Sequence, residues 1–244
     1  MKLPKMILFD YGQTLVDEGR FDGVKGSREI LKYATDNKYG LSAEQLQEKA
    51  NELNRALGRF SRETRHLLQT EIPNHMFTAY LYESLGIKLS LSSEEIDTVF
   101  WDAAAPGKPT EGIEGFLEYL HEKGIRTGII SNISFAGSVV KERIHKLLPA
   151  NHFEFILCTS EYLFRKPHEK IFDLALEMAD LNQEDVWYIG DDYECDVLGA
   201  RNAGIYSIRY VGALGTAYEK KQDVMETTSW TELETYIENR RERQ

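Results

Sequence analysis

From residue 112 onward the chain alternates between two periodicities, and that alternation restricts its fold more than any other feature. "GIEGFLEYLHEKG" reads as a helix that ends at Gly124, and "IRTGIIS" (125–131) as a strand. "SVVKERIHKLL" (138–148) is helical again, "FEFILC" (153–158) is a strand, and "PHEKIFDLALEMAD" (167–180) is a helix with Pro167 in its first turn. "DVWYIG" (185–190) and "IYSIRY" (205–210) are strands either side of a short helix at 196–204, and "SWTELETYIENRRER" (229–243) is a last amphipathic helix. Strands joined by crossover helices pair in parallel, and a parallel sheet needs helices on both faces. The class is therefore α/β.

One strand stands apart from the others. "KMILFD" (5–10) reads as a strand, but from about Gly23 to Ala105 the pattern is almost wholly helical and no strand is expected. Breaks fall at 37–42, 70–74 and 85–95, and Ser92 opens an S-x-x-E capping signal before "IDTVFWDAAA". Such an insertion reads as a lid-like subdomain. It divides the chain into a core of residues 1–17 and 108–244 and an all-helical cap of residues 18–107. The connections near Val16–Gly23 and Ala105–Thr110, where Gly and Pro gather, are the expected hinges.

A chain of 244 residues can bury a full core and carry a smaller inserted unit. Its 29 basic and 40 acidic side chains leave a formal charge of −11, which argues against a nucleic-acid backbone or an anionic membrane as partner. Cys158 and Cys195 fit no metal or redox spacing and read as reduced thiols. The first ten residues hold only four consecutive apolar ones, and no apolar run approaches the roughly 20 residues that span a bilayer. A cytoplasmic location is the expectation.

In open parallel sheets ligands bind beyond the carboxyl ends of the strands. There the sequence places Asp10 after the first strand and Ser131 with Asn132 after another. Asp191, Asp192 and Asp196 follow Gly190, and Lys166 stands on a loop before Pro167. Singly, each residue has an ordinary use: a solvated strand-end acid, a turn former, a helix-start aspartate or a surface lysine. Together they suit phosphoryl transfer. One carboxylate attacks phosphorus, others hold a divalent cation, and a lysine and a hydroxyl steady the phosphoryl oxygens. Mg²⁺ matches a site built from oxygen ligands.

In that order the motifs resemble those of the haloacid dehalogenase (HAD) superfamily of hydrolases, most of which are Mg²⁺-dependent phosphatases. "DYGQTL" (10–15) is similar to its first motif, D-x-D-G-T-L, and "GIISN" (128–132) to its second. "RKP" (165–167) is similar to the third, and "GDDYECDVLGARNAG" (190–204) to the fourth. The resemblance implies a Rossmann-like parallel sheet with a helical cap after motif one, acting on a small phosphorylated metabolite. By the same resemblance Asp10 is nucleophile and metal ligand, Gly12 offers its backbone carbonyl to Mg²⁺, and Asp191 and Asp196 complete the metal site. Ser131, Asn132 and Lys166 bind the phosphoryl group, Lys166 also holds Asp10, and Thr14 supports the nucleophile loop.

Motif one departs from the family at Gly12, where phosphatases carry an aspartate that acts as general acid and base. Three readings follow. A phosphatase or phosphotransferase lacks this acid or recruits it from the cap, with Asp17, Glu18 and His66 as candidates. A dehalogenase expels halide without a proton and needs no metal, but would keep Asp191, Asp192 and Asp196 unpaired at a cost. A non-catalytic descendant binds metal and phosphometabolite only. In "NRALGRFSRETRHLL" (54–68), Arg55, Arg59, Arg62 and Arg65 or His66 recur at helical spacing. They suit either a second anionic group of a substrate or a solvated face paired with Glu48, Glu52 and Glu63. Amphipathic cap helices would serve equally as a homodimer face.

Overall fold

The computed structural model describes residues 2–59, 67–215 and 218–242. In chain order come β1 (Met6–Phe9), β2 (Val16–Asp17), α1 (Gly23–Leu31), β3 (Ala34–Asn37), α2 (Ala43–Ala56) and α3 (Asn74–Ser84). β4 (Ile87–Leu89), α4 (Ser93–Ala104), β5 (Lys108–Pro109), α5 (Ile113–Glu122), β6 (Arg126–Ser131), α6 (Gly137–Leu147) and β7 (Phe153–Cys158) follow. The rest is α7 (Glu169–Ala179), β8 (Val186–Gly190), α8 (Gly199–Asn202), β9 (Tyr206–Tyr210), β10 (Met225–Thr227) and α9 (Trp230–Arg241).

Six strands form one sheet in the order β10-β9-β8-β1-β6-β7, and each neighbouring pair runs parallel. Alternate residues of each strand face opposite sides. Ile7 and Phe9 of β1, with Trp187 and Ile189 of β8, pack under α5, α6 and α9 through Phe116, Leu120, Val140, Ile144, Trp230 and Leu233. Met6 and Leu8, with Val186 and Tyr188, pack under α7 and α8 through Ile171, Phe172, Ala175 and Ala200. Both faces of β1 are closed to solvent, as its unbroken apolar run requires. The fold is α/β and Rossmann-like. β10 is a finding: three residues, "MET", are too short to show a period.

Helices α1 to α4 gather a third apolar cluster around Ile30, Leu46, Ala50, Phe77, Leu81 and Ile96. The expectation of an all-helical insertion is corrected here. β3 and β4 pair antiparallel within it, Asn37 opposite Ile87 and Ala34 opposite Leu89. Only Ile87 of the seven residues is buried, so no apolar alternation marks them. Both connections to the sheet pass through a second small pairing, Val16 with Pro109 and Asp17 with Lys108.

Two helix boundaries also differ from expectation. α7 begins at Glu169, with the His168 side chain capping the Lys170 N–H; Pro167 lies before it, in a cis peptide with Lys166. α2 ends at Ala56, and Gly58 adopts φ 71°, so Arg59 does not extend the helical face that carries Arg55. Arg55 pairs on the surface with Glu48 at 2.5 Å. Arg59 turns inward, donating to the Ile72 carbonyl at 2.9 Å. Arg62, Glu63, Arg65 and His66 lie outside the described residues. Both cysteines are buried, with no disulfide between them, and no described helix is long and apolar enough to cross a membrane.

Candidate active site

β1 lies between β6 and β8, so Asp10 emerges in the middle of the sheet's carboxyl edge. Its own N–H donates to the Ile189 carbonyl at 2.8 Å, which carries the pairing with β8 one residue further. The chain then turns sharply. Leu15 and Val16 N–H groups both reach the Tyr11 carbonyl at 3.0 Å, and Gln13 takes the left-handed conformation at φ 55°.

Lys166 crosses to meet Asp10. Its side chain is 1% exposed, and its Nζ donates to Asp10 Oδ1 at 2.6 Å, Asp196 Oδ1 at 2.6 Å and the Tyr188 hydroxyl at 2.7 Å. An ammonium has three donors, and here all three are used. The loop that delivers it is held by Asn132, whose side-chain amide accepts from the Lys166 N–H and donates to the Lys166 carbonyl, each at 2.8 Å.

Carboxylate oxygens of Asp10, Asp191 and Asp196 all lie within 4.8 Å of one another. Asp192 does something else. Its side chain accepts from the Glu194 and Cys195 N–H groups and caps the wide turn of Tyr193–Leu198, while its N–H donates to Asp196 Oδ2 at 2.9 Å. The turn thus aims Asp196 inward, leaving Asp192 at the rim of the cleft.

Three carboxylates and one ammonium would carry a net charge near −2 if all were ionised. Burial raises the Asp10 carboxyl, against the Lys166 ammonium, which lowers it. Burial pushes Asp196 up to about 7, again against Lys166. Asp191 is raised well above the ordinary carboxylate range by burial and then by the charges of Asp196 and Asp10. Burial alone would lower Lys166, but the charges of Asp10 and Asp196 overcome it and lift the ammonium above its ordinary value. Oxygen-only donors with excess negative charge fit a hard divalent cation.

A cleft of about 240 Å³ opens over this cluster, lined by Asp10, Gly12, Glu18, Ser131, Lys166 and Asp191 among others. Ser131 ends β6 and is buried at 3% exposure. Asn132 also lines the cleft, but its amide serves the Lys166 loop. Thr14, expected to support the nucleophile loop, faces the core. It leaves the Gln13 turn fully buried, away from the cleft lining, and its hydroxyl has no partner among the described residues. Its carbonyl instead accepts from the Thr110 hydroxyl at 2.8 Å.

Residues that the motifs did not single out also contribute. Tyr188 sits under Lys166 and donates to the Ile130 carbonyl at 3.2 Å. Arg165, beside Lys166, lines the cleft and pairs with buried Glu71 at 3.4 Å, and Arg59 reaches the same Glu71 at 3.6 Å. Asp17 follows the pattern of a surface acid, its Oδ1 accepting from the Gly19 N–H. Glu18 lies in the cleft, its Oε1 accepting from Trp101 Nε1 at 2.7 Å.

Gly190, the last residue of β8, is held to glycine by this packing. A Cβ there would collide with the Asp196 side chain. Gly190→Ala is expected to displace Asp196 and destabilise the fold by about 1–3 kcal/mol through overpacking. A urea melt measures the second effect, and a Mg²⁺ titration of the melt midpoint measures the first.

The chain is similar over part of its length to known proteins. Human haloacid dehalogenase-like hydrolase domain-containing protein 3 is 30% identical over 106 residues, 42% of this chain and 39% of that protein. A glyceraldehyde 3-phosphate phosphatase of Pyrococcus abyssi is 32% identical over 99 residues, 40% of each. These alignments span about two fifths of either partner. The crystal structure of a 2-haloacid dehalogenase from Pseudomonas syringae pv. Tomato superposes with a TM-score of 0.66 at 20% identity, covering 98% of this chain and 99% of that one, a likeness of fold. A family model described as haloacid dehalogenase-like hydrolase matches residues 7–210, from β1 through β9. That span holds every acid of the cluster together with Lys166, and the chain belongs to the haloacid dehalogenase-like hydrolases.

Proposed function

We propose that the protein is a Mg²⁺-dependent phosphohydrolase of a small phosphorylated metabolite, working through an aspartyl-phosphate on Asp10. The observation that carries this reading is the Lys166 ammonium shared between Asp10 and Asp196, with Asp191 beside them. Held by Lys166 through Oδ1, the Asp10 carboxylate is oriented for attack on phosphorus. Ser131 would steady a phosphoryl oxygen in the transition state, and the Lys166 ammonium, its three donors committed to Asp10, Asp196 and Tyr188, would add its positive charge beside the reacting group. A divalent cation held by Asp10, Asp191, Asp196 and the Gly12 carbonyl would supply the remaining positive charge.

Dehalogenation is disfavoured by the same cluster. A departing halide calls for no cation, and Asp191 would then be a half-buried acid opposed by the like charges of Asp196, Asp10 and Asp192 for no chemical return. A larger cavity, about 920 Å³, is lined by Arg20 and Ser134, close along the chain to the Glu18 and Ile133 side of the cleft. Asn51, Asn54, Arg59, Phe77 and Phe100 are in its wall, a polar and aromatic lining that suits the organic part of a phosphate ester. In this reading α1 to α4 form the cap, and the protein acts without nucleic-acid or membrane partners in the cytoplasm.

Two measurements test the proposal together. Mg²⁺ at a hundredfold over its dissociation constant should stabilise the fold by about 2.7 kcal/mol, or roughly 5–10 °C in melting temperature. Incubation with Mg²⁺ and acetyl phosphate should add the mass of one phosphoryl group or release phosphate. An unmoved melt with neither adduct nor phosphate would refute the assignment.

A further inference from the structure

We infer that Glu18 supplies the general acid and base missing from Gly12, reaching the same point of the cleft from six residues further along the chain. The inference rests on the phosphohydrolase reading above and concerns the proton that reading leaves without a carrier.

The geometry begins with what surrounds Gly12. A Cβ built on Gly12 would have one neighbour within 4 Å, Glu18 Oε2 at 3.7 Å. That is ordinary van der Waals contact, and Gly12 lies outside the left-handed region. Neither space nor backbone therefore demands glycine here. The Glu18 carboxyl is the group that a Cβ at Gly12 would touch.

Glu18 is held there by a rigid partner. Oε1 accepts from Trp101 Nε1, so that oxygen is committed as an acceptor, and a proton on the carboxyl resides on Oε2. Oε2 is the oxygen that faces Gly12. The indole is fixed in turn: it stacks on Phe135 with ring centres 4.7 Å apart, meets Tyr11 edge-on, and lies under the Arg143 guanidinium at 4.3 Å. Trp101 belongs to α4, so the helical insertion sets the position of the proton carrier. Asp10 and Glu18 line one cleft, nucleophile and acid–base group together.

The steps balance. Asp10 forms its bond to phosphorus as the ester P–O bond breaks, and the leaving oxygen takes the Oε2 proton, giving alcohol, aspartyl-phosphate and a Glu18 carboxylate. Water then gives a proton to Glu18 while its oxygen bonds to phosphorus. The P–O bond to Asp10 breaks, releasing inorganic phosphate and restoring the Asp10 carboxylate and the Glu18 acid.

The test compares wild type, Glu18→Gln, Gly12→Asp and the double variant, with phenyl phosphate, p-nitrophenyl phosphate and acetyl phosphate as probes. The amide oxygen introduced by Glu18→Gln can still accept from Trp101, and thermal melts check that each variant folds. Glu18→Gln should lower kcat on phenyl phosphate about 10²–10⁴-fold, with a smaller fall on p-nitrophenyl phosphate, whose leaving group needs less help from a proton. Acetyl phosphate should leave a lasting phosphoryl adduct on that variant. Adding Gly12→Asp to Glu18→Gln should recover much of the lost phenyl phosphate turnover, because a side chain fits at Gly12 in ordinary contact with residue 18 and the new carboxyl returns a proton carrier to that part of the cleft. An Asp10 adduct in wild type, with Glu18→Gln keeping wild-type leaving-group dependence and adduct lifetime, would overturn the role of Glu18 and spare the nucleophile. A loss that the double variant fails to recover would make Glu18 a structural residue and overturn the inference as well. No adduct and no phosphate release in wild type would overturn both readings.

Discussion

Asp10→Asn is expected to abolish phosphoryl transfer, lowering phosphate release by about 10⁴-fold or more, the range seen when a covalent nucleophile is removed. The side chain is positioned by contacts that an amide keeps. Its oxygen can still accept from Lys166 Nζ, and the main-chain bond from the Asp10 N–H to the Ile189 carbonyl is untouched. Removing one carboxylate from a cluster of three also relieves like-charge repulsion on Asp191 and Asp196. The variant should therefore remain folded, with a melting temperature in metal-free buffer close to that of wild type. Intact mass after incubation with acetyl phosphate and Mg²⁺ should show no phosphoryl adduct. An adduct that persists in Asp10→Asn would move the nucleophile elsewhere, and Asp191 and Asp196 are the neighbouring carboxylates.

The sheet and the location of the site were legible in the sequence because both are written locally. β1 and β8 carry unbroken apolar runs, and Asp10 and Asp191 stand immediately beyond them. What needed three dimensions was the division of labour among neighbours. Asp192 and Asp196 look alike in "GDDYECD", and only the turn that caps on Asp192 sends Asp196 inward. Asn132 reads in sequence as a substrate ligand; in the fold it lines the cleft and its amide also clasps the Lys166 main chain. Thr14 sits in a motif position, yet the left-handed Gln13 carries it into the core. β3 and β4 carry no alternating apolar face, so no local pattern marks them as strands. Glu18 was one of several cap-side acids. Its place over Gly12 depends on an indole 83 residues away, a contact that no local pattern encodes.

Lys166→Met should be the most destabilising single change at the site, at about 3–5 kcal/mol, because removing one partner of a buried ion pair strands the others. Methionine fills much of the lysine stem's volume, so packing loss is small and the effect reports charge. Asp10 and Asp196 each lose a 2.6 Å bond from Nζ, and the Tyr188 hydroxyl loses its donor. The sign of the pH dependence follows. Asp196 already has a folded-state carboxyl at about 7 against an ordinary 3.8, so across that window the native state holds a proton that the unfolded chain has released. Stability in metal-free buffer therefore falls as pH rises through the window. Without Lys166, the cation that draws Asp196 downward, the folded value climbs further and the decline should extend to higher pH. Urea unfolding in EDTA at pH 5 and pH 8 measures this: the deficit of Lys166→Met against wild type should be larger at pH 8. A divalent cation should recover part of it, since the same carboxylates would bind it. An equal deficit at both pH values would mean that Lys166 contributes through packing, and that its ammonium is not what holds the three acids together.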